Sequence, residues 1–143
     1  AAARYPGRVA VRLGFDEPMA HLMYAGADAV LVPSRFEPCG LAQLYALRYG
    51  AVPVVAPVGG LWDTVIPATP AALAAGVATG IMMPRTDPGG LRVALDQLLT
   101  LHADRPAWNR LVANGMAAEF GWERSAGAYA ALYAETVSMR SLI

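Results

Sequence analysis

Four short apolar runs set the framework of the chain: Val9-Ala10-Val11-Arg12-Leu13, Ala29 to Val32, Val52 to Ala56, and Ile81-Met82-Met83. Their length and β-branched content predict buried strands. Between them, apolar residues recur at steps of three and four. Met19, Leu22, Met23 and Gly26 follow Asp16, which suits a helix cap, and Leu41, Leu44, Tyr45 and Arg48 precede Gly50, which stands where a left-handed C-cap belongs. Strands alternating with helices predict an α/β fold, a Rossmann-like parallel sheet with right-handed crossovers and helices on its faces. Pro53 removes a ladder donor, so it predicts the first residue of its strand or an irregular edge.

Further along, Pro57-Val58-Gly59-Gly60-Leu61 predicts a glycine turn, and Trp62 to Val65 starts a short helix. The Ala- and Pro-rich piece from Pro67 to Gly80 reads as a surface excursion. C-terminal helices follow from about residue 87. The first, Asp87 to His102, turns Leu91, Leu95, Leu98 and Leu99 inward; Trp108, Leu111, Val112 and Met116 mark the next. The last carries an apolar stripe of Trp122, Ala126, Tyr129, Ala130, Tyr133 and Val137. The chain, 1–143, is expected to be one domain. It shows no internal repeat and no low-complexity tail.

Composition narrows the partners. Eleven basic side chains balance eleven acidic ones without a polybasic block, so neither nucleic acid nor an anionic membrane is expected as the main partner. Cys39 is the single cysteine, which excludes an internal disulfide, fits a reducing compartment and leaves no Cys/His spacing of the metal-binding kind. Every apolar run stops well short of the roughly 20 residues of a membrane span, so a soluble chain is expected. The first residues, Ala1-Ala2-Ala3-Arg4-Tyr5-Pro6, lack a signal-peptide core and an initiator Met, and read as a start inside a longer protein.

The chemistry concentrates in Val32-Pro33-Ser34-Arg35-Phe36-Glu37-Pro38-Cys39-Gly40-Leu41, a strand-to-helix turn of the kind at which open α/β sheets bind ligands. A helix start offers unpaired amides and about half a positive charge, so the amides near Gly40, Leu41 and Ala42 suit a diphosphate, although any such turn shares this property. Glu37 would be repelled by phosphate but can accept from sugar hydroxyls; the plainer alternatives are a solvated loop residue or a partner for Arg35, and Arg35 itself can meet phosphate or pair with Glu37, the pairing being expected. Cys39 reads as a small side chain beside a ligand rather than a nucleophile, since no His is near it in sequence to activate it. His21 and His102 read as structural. Phe15, after Gly14, can reach the same crevice and stack on a nucleobase, or pack in the core. No Gly-x-Gly-x-x-Gly and no P-loop pattern occurs, which disfavours an oxidoreductase and nucleoside triphosphate hydrolysis.

Ser34 to Leu41, continued by Gln43-Leu44-Tyr45-Ala46-Leu47-Arg48-Tyr49-Gly50, resembles bacterial glycogen synthase and plant starch synthase. The resemblance runs from Gly14-Phe15-Asp16-Glu17 through Gly59-Gly60-Leu61 and Asp63-Thr64-Val65 to Trp122-Glu123-Arg124-Ser125-Ala126. It implies the later part of the C-terminal domain of a GT-B glycosyltransferase, an enzyme that moves glucose from ADP-glucose to an α-1,4-glucan end with retention. It further implies that Glu37 is the essential carboxylate at the donor sugar, that Cys39 and Gly40 touch the glucose, and that the amides of Leu41 and Ala42 meet the phosphates. Phe15 takes the place of a Tyr that stacks on adenine, and Tyr45 borders the ribose.

No cofactor or metal is implied, and the chain has no Asp-x-Asp pair to hold one. The implied partners are ADP-glucose, a glycogen or starch primer, and an N-terminal GT-B domain. That domain, the family's lysine-glycine-glycine loop, and the Arg and Lys that neutralise the leaving diphosphate have no counterpart in these 143 residues, which are therefore not expected to turn over alone. The implied location is the bacterial cytoplasm, or the plastid for a plant starch synthase. Ala42 replaces a common Thr, and Pro57-Val58 an Arg-Thr type pair. The rival readings are a non-catalytic nucleotide-sugar-binding or regulatory module that needs a partner domain, and a sugar-nucleotide epimerase, which would need its own acid and base.

Overall fold

The computed structural model describes residues 1–140, without the side chains of Arg124 and Arg140. Residues 141–143 of the expected domain, and the Arg124 side chain of the quoted motif, therefore lie outside the described residues. After a single 3-10 turn at Ala2–Arg4, the order is α1 (Glu17–Gly26), β1 (Ala29–Val32), α2 (Ala42–Tyr49), β2 (Val52–Val55), α3 (Gly59–Thr64), α4 (Pro70–Ala74), β3 (Ile81–Met82), α5 (Pro88–Ala103), α6 (Arg105–Ala117) and α7 (Trp122–Arg140). The strands form one parallel sheet in the order β1-β2-β3, with Val32 opposite Val55 and Val55 opposite Met82. The expected α/β class with C-terminal helices is the fold observed.

The all-apolar β2 is buried along its whole length and is the central strand. Pro53, its second residue, is neither at an edge nor at the strand's start. The amides of Val52 and Ala56 donate to Asp28 and Val32, so even-numbered amides face β1. The donorless side of Pro53 faces the other way, where pairing with β3 begins only at Val54. The core gathers Val54, Leu61, Ile81, Trp108 and Leu111 around this strand.

The expected strand at Val9 to Leu13 does not form: the segment is irregular, and Val9, Val11 and Leu13 are exposed. A strand needs a ladder partner, and the sheet gives this segment none. Helical faces also differ from expectation. In α1, Leu22 and Met23 are exposed, while His21 and Tyr24 turn toward α2. In α2 the buried face is Gln43, Ala46 and Leu47, not Leu41, Leu44, Tyr45 and Arg48. In α5 Gly90, Ala94 and Leu101 are buried and Leu99 points outward, and in α6 Met116 is exposed.

The stripe on α7 is real as a spacing, yet every described side chain of that helix is exposed, Trp122 at 76%. Periodicity decides which residues share a face, not what covers it. The excursion from Pro67 to Gly80 is anchored rather than wholly superficial. Ala68, Ala78 and Thr79 are buried, Pro67 and Gly80 form a parallel bridge, and Asn114 of α6 donates to the carbonyls of Gly76 and Ala78.

Candidate functional site

The loop leaving β1 carries Glu37, Cys39 and Gly40 directly into α2, at the carboxyl end of a parallel strand. Glu37 is half-buried and accepts from Ser34 Oγ at 3.4 Å. The expected pair with Arg35 is absent: Arg35 is exposed, and an ion pair in water gains too little to fix two side chains. The Cys39 thiol is free and exposed.

The start of α2 differs from those of the other long helices whose caps are described. In α1, α5 and α6, Asp16, Asp87 and Asp104 accept from the amides of Met19, Gly90 and Ala107. In α2 the N-cap is Leu41, which offers no side-chain acceptor. Its first-turn amides thus meet no capping oxygen, at the positive end of the helix dipole. Gly50 closes the helix in the left-handed conformation, as its position predicts.

The turn is supported from beneath. Gly59 and Gly60 open α3 against the backbone of the turn; a Cβ on Gly59 would overlap the carbonyl of Glu37, and one on Gly60 that of Cys39. The Gly60 amide donates to Pro38 O at 3.1 Å. Gln43, 0% exposed, reaches back from α2 with Nε2 at 3.1 Å from Cys39 O, Gly40 O and Thr64 Oγ1. The sequence contains one signal of this role: a polar residue on a helical face otherwise made of Ala46 and Leu47.

Tyr45, one turn along α2, is 40% exposed. Its ring meets His21 edge-on at 5.5 Å and Tyr24 at 5.7 Å, and Tyr49 Oη lies 2.8 Å from His21 Nδ1. His21 thus joins α1 to α2, and His102 packs edge-on against Trp108. Leu41, Leu44, Tyr45 and Arg48 face a cleft of about 620 Å³, closed on the far side by Glu119 and Phe120 of the α6–α7 connection. That cleft has no counterpart in the sequence reading, because it joins segments far apart in the chain. Phe15 is 95% exposed, so the core-packing alternative is excluded, and it packs against none of the other candidates. Among the described residues no three His, Cys, Asp or Glu side chains converge as metal ligands, and no helix is long and apolar enough to cross a membrane.

No family model matches the chain. It is 60% identical over 135 residues, 94% of its length, to the glycogen synthase of Cereibacter sphaeroides ATCC 17023, and 55% identical over 137 residues, 96% of its length, to that of Rhizobium leguminosarum bv. trifolii. It spans only 28% of the length of each of these curated relatives. Among solved structures, the catalytic domain of starch synthase IV from Arabidopsis thaliana, bound to ADP and acarbose, superposes with a TM-score of 0.81 at 34% identity, covering 95% of this chain and 28% of that one. Sucrose-phosphate synthase from Thermosynechococcus elongatus superposes at 0.65 with 30% identity, covering 96% of this chain and 33% of that one. Both neighbours are glycosyltransferases of GT-B architecture. Along almost its whole length, the chain is a homologue of bacterial glycogen synthases and of starch synthase, matching a segment of each.

Proposed function

We propose that this chain, 1–143 as a single domain, is the donor-binding segment of a retaining glucosyltransferase that extends an α-1,4-glucan from ADP-glucose. The observation that carries the reading is one turn that presents a half-buried carboxylate, Glu37, beside the uncapped start of α2. The two features suit opposite ends of a nucleotide sugar. The amides of Leu41 and Ala42 receive the diphosphate, Cys39 and Gly40 border the glucose, and Glu37 accepts from its hydroxyls. Tyr45 borders the ribose, and Phe15, almost fully exposed, is free to stack on adenine.

In the complete enzyme the bond between the anomeric carbon and the ADP oxygen breaks while the glucan hydroxyl attacks the same face and gives its proton to the departing diphosphate oxygen. Glu37 favours the positive charge that develops on the sugar, and the α2 start favours the negative charge on the leaving diphosphate. The rest of the enzyme, which includes an N-terminal GT-B domain, supplies the primer site and further cations. This chemistry needs no metal, and a cytoplasmic or plastid setting supplies its substrates.

The second reading is a nucleotide-sugar-binding or regulatory module that works against a partner domain. It is favoured by the exposed apolar residues of α7 and of the segment before α1. Two measurements decide. Calorimetric titration of the chain with ADP should give saturable binding, and its absence removes the donor-site reading of this segment. Glucan extension by the full-length enzyme, from ADP-glucose and UDP-glucose, should collapse on Glu37→Gln; an undiminished rate leaves only the module reading.

A further inference from the structure

We propose that Gln43 is a positioning residue that aims the phosphate-binding amides of the turn, an inference that rests on the donor-site reading above. Gln43 is fully buried, and its Nε2 lies 3.1 Å from each of three acceptors: Cys39 O, Gly40 O and Thr64 Oγ1. Two amide hydrogens are therefore shared among three oxygens. Thr64 passes its own hydroxyl hydrogen to Gly60 O, and the Gly60 amide donates to Pro38 O at 3.1 Å. The bonds close a circuit from the turn through Gln43, Thr64 and Gly60 back to the turn.

The circuit fixes directions as well as positions. No peptide bond among the described residues is cis, and in a planar trans peptide the N–H points opposite to the C=O. Because Gln43 holds the carbonyls of Cys39 and Gly40 inward, the amides of Gly40 and Leu41 must point outward, away from the core. Leu41 O accepts from the Tyr45 amide, which sends the Ala42 amide out of the helix start in the same way. Gln43 thus aims the donors without touching the ligand.

Gly40 is matched to this side chain. Its φ of +72° suits glycine, and a Cβ there would stand 2.6 Å from Gln43 Oε1. Oε1 itself is buried without a hydrogen-bond partner. An unpaired buried acceptor carries a cost, and the fold tolerates it here while spending the amide's donors on the turn. A side chain serving only to fill the core would be an apolar one of similar size.

The test separates aiming from folding by comparing two ligands. Adenosine and ADP share the nucleoside, so the ratio of their affinities measures what the phosphates contribute. In the 143-residue chain, Gln43→Glu and the volume-matched Gln43→Met should weaken ADP about tenfold, the loss of roughly one charged hydrogen bond, and leave adenosine within about twofold. Equal losses for both ligands would reduce Gln43 to a structural residue, and undiminished ADP affinity would overturn the proposal. Should neither variant fold, Thr64→Val decides in their place, removing one of the three acceptors: a loss confined to ADP supports the aiming role, and an equal loss defeats it. A wild-type chain that binds ADP no better than adenosine would remove the donor-site reading, and this inference with it.

Discussion

The Gly60 amide donates to the carbonyl of Pro38 across 3.1 Å, so the first turn of α3 is docked beneath the turn that enters α2. The contact is possible because neither Gly59 nor Gly60 carries a Cβ. Gly60→Ala should therefore push against the Cys39 carbonyl, cost about 2–4 kcal/mol of stability and displace the donor turn. Thermal melting with ADP titration checks it: both stability and ADP affinity should fall, and a variant matching wild type in both would show that the two turns are not tightly docked.

Glu37→Gln removes the charge and keeps the shape. ADP affinity should be unchanged within about twofold, while glucan extension by the full-length enzyme drops about a hundredfold or more. Steady-state kinetics beside calorimetry separate the two effects.

Phe15→Ala should weaken ADP about tenfold, the scale of one base–aromatic stack, and Phe15→Tyr should not. Because the ring is almost fully exposed, neither change should move the melting temperature, so affinity alone reads the contact.

Asp87 caps α5 and makes that helix acid-sensitive. The Gly90 amide first, then the Arg85 guanidinium, hold its carboxyl below the usual 3.8. A lowered native value means the unfolded chain binds the proton more readily, so this contribution is complete above about pH 4 and fades as pH falls through the native value. Asp87→Asn keeps a capping oxygen and deletes the titration. Its stability should lose less than wild type between pH 5 and about pH 2; identical acid profiles would show that Asp87 does not contribute.

Cys39 offers a footprint. Its exposed thiol should react readily with a maleimide, and saturating ADP-glucose should slow that reaction if the sugar lies beside it. Adenosine, which lacks the sugar, should protect much less.

Much of this was legible in the sequence because it is local. Asp16 and Gly50 mark helix ends by chemistry that needs only the neighbouring backbone, and both stand where expected. The runs at Ala29, Val52 and Ile81 became strands because each has a parallel neighbour. Val9 to Leu13 has the same apolar character and is exposed, since a ladder needs a second chain segment that composition cannot supply. The same limit explains α2, where Leu41, Leu44, Tyr45 and Arg48 make an apolar-looking face that lines a cleft, while Gln43 sits inside. For the candidate site, the placement of Glu37, Cys39 and Gly40 between strand and helix could be read from the sequence. The support by Gly59, Gly60 and Thr64 could not, because it joins positions more than twenty residues apart.

Among the described residues, the sheet places its most deeply buried strand in the middle and pairs β1 on one side only. Leu31 on β1 is exposed, and the loop that carries Glu37 to Gly40 begins directly after Val32. Restraint along β1 therefore reaches the root of the turn at residues 37–40 through the backbone alone.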